Sequence, residues 1–265
     1  MITCNLKIGL GNMLFQIATI ESLAKDNHSS CYYYNIDKTY AALSKYMSKK
    51  DPFDYGKIFA NFSWPRKEAS FTKKMDYPFP YKKLVFEDNV CYNGYFQSEK
   101  YFLHNRQFIL NLFLPSVFVL KKMEKYQSLF NKKTCSIHVR RDDYVRLSDI
   151  HPPVTVEYLQ KAMKVVGPVD NYLVFSDDIN WCKSVLQGDK YIFIEGNKDY
   201  VDLFLQSKCY HNIISNSSFS WWGAWLGTNK DKTIVCPKKW FGHHPVVSQE
   251  NYSSDDIVCE GWVKC

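Results

Sequence analysis

The sequence predicts an α/β protein built around a doubly wound parallel sheet, and three observations carry that prediction. In the second half, strand-like runs at 134–139, 171–176, 191–195, 211–216 and 232–237 alternate with helical stretches at 155–166, 179–186, 199–209 and 218–226. The helical stretches place apolar residues near the 3.6 period, and β followed by αβ four times over is the pattern of parallel sheets covered by helices. The heptapeptide HVRRDDY, 138–144, puts one imidazole, two guanidiniums and two carboxylates at the end of a predicted buried strand. Finally, an apolar strand beginning at His211 runs into Ser217 and Ser218, good N-cap residues, ahead of a very aromatic helix.

Taken in order, the chain opens with a short strand at 2–6, a turn through Lys7 and Gly9, an amphipathic helix at 12–26 and a second strand at 31–36. Residues 51–92, rich in aromatics, Lys and Pro, read as irregular loops. A long helix is predicted over 98–113, ending before Leu114-Pro115, because proline disfavours helix in the residue before it. Residues 115–133 then join two lobes, 1–131 and 132–265. In the strand at 134–139, Cys135, Ile137 and Val139 share one face and His138 lies on the other with Arg140.

With 265 residues the chain can bury a large core, and 46% hydrophobic with 17% aromatic residues excludes disorder. No apolar run approaches the roughly 20 residues that span a bilayer, and polar residues interrupt the first 30, so neither a membrane span nor a signal peptide is predicted. Nine cysteines, odd in number and without CxxC spacing, suggest free thiols in a reducing cytoplasm and no metal site. The sequons at Asn27, Asn61, Asn216 and Asn251 are then incidental. A net charge of +7 is spread along the chain as 34 basic and 27 acidic residues, which does not make the stripe expected of a nucleic-acid binder.

Four constellations could carry chemistry. Beyond the carboxyl ends of parallel strands lies the usual ligand crevice, so the basic pair His138 and Arg140 suggests an anionic ligand, although a solvated ion-pair turn would also account for the charges. The helix opened by Ser217 and Ser218 offers backbone N–H groups and a dipole to an anion, while its tryptophans pack. Gly9-Leu10-Gly11-Asn12 follows a strand and opens a helix, but Leu14 stands where GxGxxG needs its third glycine. Asp177, Asp178 and Asp202 could accept hydrogen bonds from a ribose or a guanine edge, or simply cap and solvate helices. No Asp-x-Asp pair, His/Cys metal spacing, GxSxG, P-loop or HExxH occurs.

Together these motifs resemble the α1,2-fucosyltransferases of glycosyltransferase family 11, and more distantly the α1,6- and protein O-fucosyltransferases. The resemblance rests on GLGNMLFQ at 9–16, GYFQSEKYF at 94–102, HVRRDDYV at 138–145, SNSSFSWWGAWL at 215–226 and CPKKWF at 236–241. It implies a GT-B-like enzyme of two Rossmann-type lobes, with the donor site in the carboxy-terminal lobe facing the cleft. Implied too are inverting transfer from GDP-β-L-fucose to a glycan acceptor, typically the 2-OH of a terminal galactose, and no metal. By the same resemblance, donor contacts fall to Gly11, Asn12, His138, Arg140, Asp178, Asp202, Ser217, Ser218 and Phe219. Arg140 takes the phosphate, Asp202 reads guanine, and Asp143 is the candidate general base. Where Asp142 stands the family commonly has glycine, which puts the local backbone and the acceptor side in question. Transfer in another linkage or onto protein, and a non-catalytic nucleotide- or glycan-binding module, are the alternatives.

Overall fold

A computed structural model describes residues 1–7, 9–33, 55–62, 71, 73–245 and 252–265. The chain divides into two compact units, Met1–Lys121 and Lys122–Cys265. The division falls before the expected boundary at 131/132, because the 3-10 turns of Glu124–Asn131 go with the second unit: Tyr126 Oη donates to Asn197 Oδ1 at 3.1 Å.

In the first unit, β1 (Thr3–Cys4), β2 (Lys73–Asp76) and β3 (Val90–Asn93) form a parallel sheet in the order β1-β3-β2. β2 and all but the last residue of β3 lie inside the stretch expected to be irregular. β2, KKMD, is exposed along nearly its whole length, so it carries no apolar alternation for a pattern to reveal. Of the strand expected at 31–36, Cys31 makes a parallel bridge to Ile2, and 34–36 lie outside the described residues. The helix Leu10–Asp26 begins two residues earlier than expected and buries Met13, Leu14, Phe15, Ile17 and Ala18. The helix expected over 98–113 is instead two 3-10 turns followed by Arg106–Leu112, with Ser98 capping through a hydrogen bond from Lys100 N. A further helix, Val117–Met123, occupies part of the expected connector.

Gln16, fully buried, fixes the turn before the first helix. Its Oε1 accepts from Lys7 N at 2.7 Å, while Nε2 donates to Asn5 O and Gly94 O, both at 2.8 Å. Gly9, at φ 97°, adopts a conformation that a side chain would strain. Asn12 Oδ1 accepts from Gln97 Nε2 at 2.7 Å, so the segments GLGNMLFQ and GYFQ meet through two side-chain amides.

The second unit holds six parallel strands, β4 (Thr134–Val139), β5 (Asn171–Ser176), β6 (Tyr191–Phe193), β7 (His211–Ile213), β8 (Ile234–Cys236) and β9 (Val263–Lys264), in the order β6-β5-β4-β7-β8-β9. The first five are the expected strands, some shortened; β9 is a two-residue edge strand too short to show a pattern. Counted from β4 this is the doubly wound order 3-2-1-4-5-6, which reverses between β4 and β7 and leaves a crevice at their carboxyl ends. All of β4 is buried, with Cys135, Ile137 and Val139 packed against Leu159, Ala162, Val174 and Val235.

The helix Ser218–Trp225 is buried on nearly all sides, and Trp221 and Trp222 are inaccessible to solvent. Removing roughly 200 Å² of each ring from water is worth about 5 kcal/mol, several times what a single cap contributes. The tryptophans therefore hold the helix in place, and Trp221 Nε1 satisfies its own donor on Ile257 O at 2.7 Å. Gly223 lets this helix approach Asp199–Lys208: a Cβ there would lie 2.8 Å from the Cβ of Gln206. Gly223→Ala is expected to lower the unfolding free energy by about 1–3 kcal/mol, read from urea denaturation midpoints, and an unchanged midpoint would contradict this packing.

Candidate functional site

Just past β4 the chain turns into a short helix, Asp142–Arg146, whose amino end is closed by a residue from the neighbouring strand. Asp177, immediately after β5, accepts from Arg141 N at 2.8 Å and Asp142 N at 3.3 Å, and its Oδ2 pairs with Arg140 Nη1 at 3.0 Å. Arg140 Nη2 meets Asp143 Oδ1 at 2.7 Å, and the guanidinium lies over the Tyr144 ring at 5.7 Å. Burial opposes the guanidinium's charge, but Asp177 and Asp143 outweigh it and raise its affinity for the proton. Two of its five N–H donors are used in these pairs, and a third of the side chain is exposed. A fixed, partly accessible cation thus stands at the point where strand order reverses.

Next to it, His138 is buried at the end of β4, and its Nδ1 contacts Ser215 Oγ, just beyond β7, at 2.8 Å. Burial, helped by the Arg140 charge, pushes the imidazole down to about 3, so it is neutral at physiological pH. The Phe219 ring packs on it at 5.4 Å. Ser217 occupies the N-cap position of Ser218–Trp225 with extended backbone, but its side chain makes no capping hydrogen bond. The expectation of serine side-chain capping is corrected to that extent. Ser217 instead contributes its carbonyl, which accepts from Trp221 N and Ser220 Oγ.

Asp178 serves the fold. Its Oδ1 accepts from Trp181 N at 3.1 Å as the cap of Ile179–Val185, and Oδ2 pairs with Arg141 Nε at 3.1 Å, with the guanidinium 4.0 Å from the Trp181 ring. The cap reading considered for this acid is the one its contacts express. Asp202, on Asp199–Lys208, accepts from Asn197 Nδ2 at 2.9 Å, and burial raises its carboxyl to about 7 despite that bond. Asp142 is exposed in the first turn of its short helix and is not among the residues of positive φ, so glycine's freedom is not needed there. Gly11 and Asn12 belong to the first unit, at the start of Leu10–Asp26.

Sequence reasoning missed Ser215, the double role of Asp177, and an aromatic shelf beside Arg140. Tyr144 stacks on His151 at 4.8 Å, His151 packs on Phe241 at 5.9 Å, and Tyr144 Oη donates to Asn216 O at 3.1 Å. The only signal for the shelf was the presence of Tyr144 and His151 in a segment read as a loop. Among the described residues no group of three or more His, Cys, Asp or Glu side chains is arranged to hold a metal ion, and no helix is long and apolar enough to cross a membrane.

A parallel doubly wound unit with a second parallel α/β unit in the same chain is the architecture of a GT-B-like fold. The family model for glycosyl transferase family 11 matches residues 1–263, and the chain belongs to that family. It is 30% identical to the alpha-1,2-colitosyltransferase of Escherichia coli over 97% of this chain and 96% of that one. An O-antigen biosynthesis glycosyltransferase of the same organism is 34% identical over 60% of this chain, which spans 58% of that relative's length. The fold resembles that of the solved NodZ alpha-1,6-fucosyltransferase soaked with GDP-fucose, with a TM-score of 0.54 at 12% identity over 85% of this chain and 92% of that one.

A neutral buried His138 has a consequence for stability. The unfolded chain protonates this residue near pH 6.5 and the folded chain near 3, so between those values the unfolded state binds more protons and stability falls as pH falls. Above that window both states are neutral and the contribution is flat. Denaturation of wild type and His138→Gln from pH 4 to 8 should show the variant lacking up to about 1.4 kcal/mol per pH unit of this slope. Parallel curves would show that His138 is not held neutral.

Proposed function

We propose that the protein is an inverting fucosyltransferase that transfers L-fucose from GDP-β-L-fucose to a sugar hydroxyl, the 2-OH of a terminal galactose, without a metal ion. The observation that carries this reading is the Arg140 guanidinium, fixed between Asp143 and Asp177 at the reversal of strand order. Family membership, and the GDP-fucose named with the NodZ structure, support the choice of donor.

As the bond from fucose to phosphate breaks, negative charge grows on the β-phosphate of GDP. A guanidinium already oriented by two carboxylates needs no rearrangement to meet that charge, and so stabilises the transition state more than the ground state. The amino end of Ser218–Trp225 adds N–H groups and a positive dipole beside Ser217, Ser218 and Phe219. Neutral His138 can offer or accept a hydrogen bond without adding charge. The acceptor hydroxyl attacks the opposite face of the anomeric carbon and must lose a proton. Asp143 is the proposed base, although it is engaged by Arg140, and taking the proton would loosen that pair.

The test is to incubate the protein with GDP-fucose and a galactoside panel in EDTA, follow GDP release, and determine the product linkage by NMR. GDP-colitose in a parallel reaction separates the donor proposed here from that of the colitosyltransferase relative. Fucose on the 2-OH with undiminished rate in EDTA is expected. Arg140→Lys should reduce turnover by about 10²-fold, because lysine loses the planar fork, with the melting temperature little changed. Near-normal turnover in that variant would remove Arg140 from the phosphate.

Asp202 gives a second check, on the nucleotide. A guanine edge donates two N–H groups, which only the ionised carboxylate accepts together, and the Asp202 carboxyl titrates near 7. GDP affinity should therefore rise as pH rises from 6 to 8, by up to about tenfold per unit below 7, and level off above. Calorimetric titration should show this rise in wild type and a flat profile in Asp202→Asn. Equal affinities at pH 6 and 8 in wild type would sink the guanine assignment.

A further inference from the structure

The first unit contains a cavity of about 460 Å³ that the donor site does not use, at the carboxyl end of the helix Leu10–Asp26. Along that helix the lining runs from Thr19 to Asp26, seven to fourteen residues beyond Asn12, or about 10–20 Å along the axis. Its walls combine aromatic faces with hydrogen-bonding groups: Thr19, Asp26, Tyr81, Phe86, Lys100 and His104 all line it. We propose that this cavity is a saccharide-binding site, favouring a sugar residue that carries an anionic group.

Two features of the cavity support this. The polar wall is hydrogen-bonded within itself. Asp26 Oδ2 meets His104 Nε2 at 2.7 Å, Oδ1 accepts from Asn105 Nδ2 at 2.7 Å, and the same amide reaches Ser22 Oγ at 2.9 Å. Each Asp26 oxygen keeps a further lone pair that can accept from a sugar hydroxyl.

The aromatic wall is set by Tyr81 and Tyr101, whose rings lie 4.8 Å apart, with Tyr101 Oη accepting from Lys82 N at 3.1 Å. Such faces suit the C–H face of a pyranose, whose hydroxyl rim then meets the polar wall. Lys100 Nζ lies 5.6 Å from the centre of the Tyr81 ring, and Lys83 also lines the cavity. Two ammonium groups and one carboxylate give the rim a net positive charge, which favours a uronic acid or phosphorylated sugar over a neutral one. The volume falls within the range of small-molecule sites.

Saturation-transfer NMR on the full chain without nucleotide, with D-galacturonic acid, methyl β-D-galactopyranoside and lactose as probes, tests the proposal. Transfer is expected to all three, most strongly to galacturonic acid. Tyr81→Ala should weaken galacturonic acid binding about tenfold through loss of the ring face, and Lys100→Met about threefold through loss of the charge, with GDP affinity unchanged in both. Lys100 is exposed, so its variant folds even where Tyr81→Ala does not. Absence of transfer to every probe overturns the proposal, as does binding that neither substitution weakens. Because the readout needs no donor, failure of the fucosyltransferase reading leaves this result intact.

Discussion

The second unit depends on one carboxylate, that of Asp177. It stands at the end of β5 yet closes the chain leaving β4, by taking the amides of Arg141 and Asp142 and the guanidinium of Arg140. Hydrogen bonds to charged acceptors in a partly buried setting are the strong kind, and three on one group bind the ends of two neighbouring strands into one rigid corner. On the other side of β4, the His138–Ser215 contact does the same for β7. The crevice of a doubly wound sheet follows from strand order alone. These two cross-strand links decide which atoms face it.

Much of the second unit could be read from the sequence, because parallel strands buried on both faces leave continuous apolar runs and their crossover helices leave a 3.6-residue period. All five expected strands of that unit and all four expected helices are present, with ends moved by a few residues. The first unit was harder to read for the opposite reason. β2 is almost wholly exposed and joins the sheet by backbone pairing, which leaves no trace in side-chain pattern. The helix expected through 98–113 has the right apolar spacing but starts as 3-10 turns around the capping Ser98.

At the site, residue type was easier to foresee than partnership. HVRRDDY suggested an anion-binding corner, but which acid serves which arginine depends on register between β4 and β5, where Val139 faces Ser176. One residue further on, Arg140 meets Asp177 and Arg141 meets Asp178. Ser215 was hidden because a serine after a strand resembles any turn residue until its neighbour across the sheet is known. Asp142 finds an ordinary place in the first turn of a helix, where an acid suits the dipole and the backbone makes no demand for glycine.

The tryptophan-filled helix after β7 has a dynamic consequence. An element enclosed by core on nearly every side cannot tilt or unwind without opening the whole unit, so its amides should be among the slowest in the protein to exchange with solvent. The amino end of that helix is therefore a stator. Whatever opens and closes during a catalytic cycle must be borne by parts of the chain less deeply embedded.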